Sequence, residues 1–263
     1  MRAAIVWTVI AREWQELVRN RLLLSSVLVP PVILAVLPII LVKVAANAPN
    51  IPASAVAQII AGHPQWAGLA PSEVAMAFAL QQFLVTFLLL PGYIPLAIAS
   101  YSIVGEKQTR SLEAVLATPI RTTELLGGKA IAAIVPAVLA AWVSYLAVLG
   151  LSAVLLGSRL TAVLSEPAWL GAVFALGPAV GLVSVMAGLL VSSRVNDPRV
   201  AQQIGAVILL PLVAIVVVQT AGNFLLDLTS YLVAALITTV VAMIGLRVGV
   251  IVFGRETILT RWK

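Results

Sequence analysis

Long apolar stretches separated by short polar connections run through the chain, and their spacing predicts helices. A hydrocarbon core about 30 Å thick takes roughly 20 apolar residues as an α-helix. Six stretches reach that length: 22–42, 74–103, 130–156, 168–191, 200–220 and 228–253. Prolines fall inside several of them, including Pro30, Pro31 and Pro38, Pro91 and Pro95, Pro136, Pro178 and Pro211. A proline removes one N–H and crowds the preceding turn, so bends are predicted there. Residues 2–20 follow another pattern. Val6, Ile10, Trp14 and Leu17 form one stripe, with Arg12, Glu16 and Arg19 off it. This predicts an amphipathic helix on the membrane surface with Trp14 at headgroup level; a cytosolic extension of the first span is the alternative. Between the first two spans, Ala53 to Ala61 predicts a short external helix. The expected architecture is an all-α membrane protein, with an interfacial helix over 1–21 and a six-helix transmembrane domain over 22–263.

Composition sharpens this picture. The chain is 62% hydrophobic and 10% charged, against roughly 25% charged in soluble proteins, which leaves no room for a soluble domain of ordinary size. A net charge of +6 in a soluble chain would suggest nucleic acid. Here fourteen of the sixteen Lys and Arg fall in the N-terminal segment, the 105–129 stretch, the 192–199 loop and the C-terminal end, with only Lys43 and Arg159 opposite. The positive-inside bias predicts a cell-membrane protein with both termini cytoplasmic, lipid as its surroundings and no nucleic-acid partner. Arg12, Glu13, Glu16, Arg19 and Arg21 interrupt the N-terminal segment before a signal-type apolar core can form.

Zero cysteines and one histidine exclude disulfides, thiolate metal sites and a multi-histidine site within one chain. Glu73, Glu166 and Asp227 are placed at outer span ends, and no charge is expected at a bilayer midplane, which argues against a proton-coupled carrier. Gln81, Gln82, Gln202, Gln203 and Gln219 are read as interhelical hydrogen-bonding groups. Tyr93, Tyr101 and Tyr145 are read as packing or interfacial residues, and His63 as a solvated loop residue. No serine–histidine–acid set or carboxylate pair shares one aqueous compartment, so no catalytic, cofactor or metal site is expected.

The most polar stretch is Gly105 to Lys129, GEKQTRSLEAVLATPIRTTELLGGK. Lying between two spans, it must sit in water on one membrane face. Leu112, Val115 and Leu116 lie at i, i+3 and i+4, one apolar face of a short helix, with Arg110 and Glu113 pointing elsewhere. Thr118-Pro119 breaks that helix, because the residue before a proline leaves helical geometry. Thr122 is expected to cap the next helix with Glu124 in its first turn, and Lys129 to reach the headgroups. Gly127-Gly128-Lys129 is not a phosphate loop: the positions that need Gly and Ser or Thr hold Thr123 and Ala130. On the residues alone, a helix resting on lipid and a helix docking a partner are both open.

Glu106-Lys107, Ser111-Leu112-Glu113, Leu116, Thr118-Pro119, Glu124 and Gly128-Lys129, in that order, resemble the signature of type-2 (ABC-2 type) ABC exporter permeases. The sequence departs from that pattern at Gln108, where an acid is common, and at Arg110, where glycine is common. Ser192-Ser193-Arg194, Ala201-Gln202-Gln203 and Pro211 are similar to the family's inner loop and fifth span. The resemblance implies a membrane permease subunit of an ATP-driven exporter, not itself an enzyme, with the 105–129 segment as a cytoplasmic coupling hairpin. It further implies an ABC ATPase partner carrying ATP and Mg, and a second permease copy or a paralogue. Docking would then use Glu106, Lys107, Arg110 and Glu113 as polar contacts and Leu112, Val115 and Leu116 as the apolar anchor. The alternatives are an ATP-independent channel or secondary carrier and a lipid-metabolising membrane enzyme. Both need polar groups that the sequence does not evidently bring together.

Overall fold

A computed structural model describes residues 2–46, 52–109, 120–211, 213–214, 217 and 227–252, and among them every regular element is helical. The order is α1 (Ala3–Arg19), α2 (Arg21–Ala46), α3 (Ala53–Gly62), α4 (Pro71–Phe87), α5 (Leu89–Gln108), α6 (Thr122–Leu155), α7 (Ser158–Leu164), α8 (Pro167–Leu170), α9 (Gly177–Arg194), α10 (Pro198–Gly205) and α11 (Leu228–Val252). Among the described residues, five segments have the length and apolarity to cross a membrane: Arg21–Val44, Pro71–Gln108, Thr122–Leu155, Pro167–Arg194 and Leu228–Arg247. They coincide with five of the six expected spans. The expected span at 200–220 begins as α10 and a 3₁₀ turn at Ala206–Leu209, and then runs in part outside the described residues.

α5 is the centre of the packing. Leu90 to Val104 are buried almost without interruption. The Pro71–Gln108 span is 76% buried, whereas the first and last spans are 22% and 17% buried, so α2 and α11 form the outside of the bundle. One core lies towards the α3 and α7 end, around Trp66, Leu84, Phe87, Tyr145, Trp169 and Leu176. The other lies towards the polar hairpin, around Ile94, Ile98, Ile103, Leu126, Ala133, Val185 and Leu189. α5 meets α9 at very close range: a Cβ on Gly188 would sit 2.9 Å from the Ala99 Cβ. Small residues allow such approach between membrane helices.

Prolines set the local backbone. The second span turns at Leu88, three residues before Pro91, rather than at Pro91-Gly92 itself. Pro91 cannot donate to the carbonyl of residue 87, and the chain uses that gap to start a new helix. In the fourth span, Gly171–Leu176 winds as a π-helix between α8 and α9, and Gly177 N donates to Ala172 O, one residue further back than in an α-helix. The next bond in that register would come from Pro178, which has no N–H. The Trp142 indole takes its place, with Nε1 donating to Val173 O at 3.3 Å.

The segment between the first two spans is more closely packed than its sequence implies. The short helix expected at 53–61 is present as α3. His63, expected to be solvated, is buried and stacks on Trp66 with ring centroids 3.8 Å apart. Its Nδ1 lies 3.2 Å from Ile59 O, and Trp66 Nε1 donates to Glu166 Oε1 at 2.8 Å. The stacked indole removes water from the imidazole, a tertiary effect that local polarity does not report. Glu166 is thus a hydrogen-bond acceptor within this cap, and Glu73 pairs with Arg159 at 3.5 Å. Gln81 accepts from Trp169 Nε1 at 3.1 Å, the interhelical role expected of it.

Burial pushes the His63 imidazole below its ordinary value near 6.5, against the smaller opposing pull of Ile59 O and Glu166. The unfolded cap therefore binds a proton first. Stability from a neutral His63 is complete above about pH 6.5 and is lost as pH falls towards the depressed value. Protease sensitivity of the 52–70 segment should rise between pH 7.5 and pH 5, and His63→Gln should flatten that rise.

Candidate functional site: a buried charge cluster at the base of the hairpin

The hairpin is narrower than the sequence implies. α5 continues through Gln108, and α6 begins at Thr122, so Glu124 and Lys129 belong to the third-span helix. Arg110, Leu112, Glu113, Val115 and Leu116 lie outside the described residues. Glu106 and Lys107 are on the last turn of α5, and what they do there differs from expectation.

Lys129 does not snorkel to the headgroups. It is 2% exposed, and its Nζ donates to Glu13 Oε1 at 2.5 Å and to Ser102 Oγ at 2.6 Å. A third contact, 3.1 Å from Nζ, is Glu106 Oε1. Arg12 Nη2 reaches the same oxygen at 3.6 Å from the exposed edge and also pairs with Glu16 one turn along α1. Glu106, expected to face a docking partner, is 3% exposed. Its Oε1 is held by the two cations, and Oε2 has no hydrogen-bond partner among the described residues. The geometry assigns this carboxylate to the interior. An ammonium so deeply buried costs several kcal/mol to dehydrate, and two carboxylates and a hydroxyl offset that cost.

The cluster joins three elements: α1 through Glu13, α5 through Ser102 and Glu106, and α6 through Lys129. A second link lies one turn earlier on α6. Glu124, fully buried, accepts from Arg2 N at 2.8 Å and Arg2 Nη2 at 3.1 Å, and from Arg121 N at 3.1 Å. Arg121 precedes the helix, so this last bond ties the helix start to its first turn, as in half a capping box. Thr122, expected to be the cap, is instead the first helical residue.

α1 is a separate helix, because Asn20 breaks it from α2 with extended backbone. That excludes a continuous extension of the first span. The stripe assigned to lipid faces protein: Val6 and Ile10 pack with Ala132, and Leu17 joins the inner core. Gly128 makes this possible, since a Cβ there would lie 2.8 Å from Val9 Cγ1. Trp14, expected at the headgroups, donates from Nε1 to Ala132 O at 3.0 Å. That carbonyl lacks its helical partner because residue 136 is proline. In the Gly128-Lys129 pair, the glycine admits α1 and the lysine binds it.

These features generate one stability prediction. Lys129→Met alone strands two buried carboxylates and should destabilise the protein by about 3–5 kcal/mol. The triple variant Glu13→Leu, Glu106→Leu, Lys129→Met removes the charges together and should recover most of the loss. Thermal unfolding in detergent, followed by circular dichroism, ranks the two. A triple variant less stable than the single one would show that the cluster contributes more than its charges cost.

Among the described residues no group of three His, Asp or Glu side chains is arranged to hold a metal ion. The arrangement orients helices. No curated protein and no solved structure gives a match to this chain. Residues 7–233 match the family described as ABC-2 family transporter protein. That stretch takes in most of α1, the residues of the Lys129 cluster and both flanks of the hairpin, so the chain belongs to the ABC-2 transporter family and is a multi-pass membrane permease of an ABC transporter.

Proposed function

We propose that this permease is the membrane subunit of an ATP-driven exporter and is moved by a separate ATPase chain docked on the 105–129 hairpin. One observation carries the reading. The flanks of the segment that resembles the family signature are clamped, through Glu106 and Lys129, to each other and to α1. A push on the hairpin would then tilt the inner ends of the second and third spans together instead of bending a loose loop. Leu112, Val115 and Leu116 form the apolar anchor and Arg110 and Glu113 the rim contacts, while Glu106 and Lys107 hold the base. ATP and Mg belong to the ATPase. The working unit is a pair of six-span permeases, two copies or two paralogues, with the fifth span over 200–220. Both termini face the cytoplasm of the cell, and the exposed side of α1, including Trp7, lies at the inner headgroups.

A second reading has one observation in its favour. An ATP-independent carrier needs buried ionisable groups, and Glu13, Glu106 and Lys129 are such groups. They pair with one another at the hairpin end, which favours the coupled reading.

Affinity capture from native membranes in gentle detergent tests both. The coupled reading expects a stoichiometric ATPase. Its retention should fall by about tenfold or more in a still-inserted Leu112→Asp, Leu116→Asp variant, because a docking anchor loses both its packing and its dry environment. Glu113→Lys should weaken retention less. A chain that comes out without an ATPase and transports alone in vesicles would establish the carrier instead.

A further inference from the structure

Lys107, like Glu106, is an expected docking residue whose side chain is engaged elsewhere in the fold. We infer that it is a positioning residue, a strut through which movement of the hairpin reaches the inner end of the fourth span. Its Nζ donates to three main-chain carbonyls, Ser192 O at 2.7 Å, Ser193 O at 2.6 Å and Val195 O at 3.1 Å. The last four carbonyls of a helix have no partner within it. α9 ends at Arg194, and the chain then turns extended at Val195 (φ −118°, ψ 160°). A compact ammonium with three rotatable donors suits three converging carbonyls, and its charge complements the negative end of the helix.

The surrounding residues make the same connection. Ser192 Oγ and Ser193 Oγ donate backwards to Leu189 O and Leu190 O, while the main-chain carbonyls of both serines, in the last turn of the helix, accept from the lysine. The next residue of α5, Gln108, donates from Nε2 to Asn196 O at 3.1 Å. Asp197 then caps α10, accepting from Arg199 N at 2.7 Å. Two consecutive side chains at the end of α5 therefore grip the turn that leads from the fourth span into α10. Higher up, the Ala99–Gly188 approach seats α5 directly on α9. With both ends fixed, α5 cannot swing without carrying the inner end of α9 and the 195–197 turn. Polar side chains that hold main-chain groups in this way set position; a docking contact would point its donors at the partner.

This inference rests on the hairpin being the ATPase docking site, and its test separates the two. The chain has no cysteine, so spin-label pairs can be introduced without background. The exposed positions Thr109, Arg194, Asn196 and Ser158 serve as label sites in the complex captured with its ATPase. The 109–158 pair reports the hairpin and the 194–158 pair reports the fourth span. On trapping with ATP and vanadate, both distances should change in the parental protein, while the 109–196 distance stays constant. In Lys107→Met the ATPase should be retained and the 109–158 change should persist. The population showing the 194–158 change should fall by about tenfold, the scale of losing charged hydrogen bonds. Lys107→Arg, which keeps charge and donors, should restore much of it.

Lys107→Met with both changes intact would overturn the strut. So would loss of ATPase retention in a folded Lys107→Met protein, which would make Lys107 a docking contact. A 109–196 distance that changes with nucleotide in the parental chain would overturn it without any lysine variant, should Lys107→Met fail to fold. A parental chain that retains no ATPase would remove the docking reading, and the strut with it.

Discussion

A buried ammonium cannot be left alone, and Lys129 imposes that constraint on the hairpin end of this permease. Once Gly128 lets α1 approach and Lys129 is enclosed, a carboxylate must come from α1 and another from α5. The positions of three helices are then tied to one nitrogen. Apolar packing alone would allow them to slide, since dispersion between membrane helices is weakly directional. Charged hydrogen bonds are directional and short, and in a low-dielectric interior they are costly to break. The hairpin end of the bundle is thus specified by polar contacts, and the opposite end by aromatic packing around Trp169 and Tyr145.

Proline and tryptophan act as a pair in this chain. Pro136 and Pro178 each deprive a carbonyl of its main-chain donor, and an indole N–H supplies the missing bond from a neighbouring element. An unpaired carbonyl in hydrocarbon costs several kcal/mol, so each replacement converts a defect in one helix into a fixed contact between two elements. Lys107 does the same at a helix end. Bonds that would have stayed within single helices become the tertiary structure.

Much of this was legible in the sequence, and the failures have a common cause. Five spans, the helix at 53–62, the amphipathic period of α1 and the ordered residues from Glu106 to Lys129 were all readable, because hydropathy and helical spacing are local properties. Misread were Lys129, Trp14 and His63, each assigned to water or headgroups, while Glu106 and Lys107, assigned to a docking partner, have contacts within the fold that the sequence did not disclose. A lysine or tryptophan near a span end has the same local pattern whether it snorkels outward or turns inward. Only the partner decides, and Glu13 lies 116 residues from Lys129. The free carbonyl at Ala132 was implicit in Pro136, yet nothing local says that Trp14 reaches it. Residues 110–116, proposed as the docking face, lie outside those described.

The π-helical stretch at Gly171–Leu176 gives the fourth span a surplus residue, and Pro178 determines what that surplus can do. In an uninterrupted helix an extra residue can travel along the axis like a dislocation, each step turning the segment it passes by about 100° and advancing it about 1.5 Å. Pro178 has no N–H with which to accept the fault into α9, and Trp142 occupies the Val173 carbonyl, five residues earlier. The dislocation is pinned. The aromatic end of the fourth span therefore has one rotational phase relative to the end that Lys107 holds.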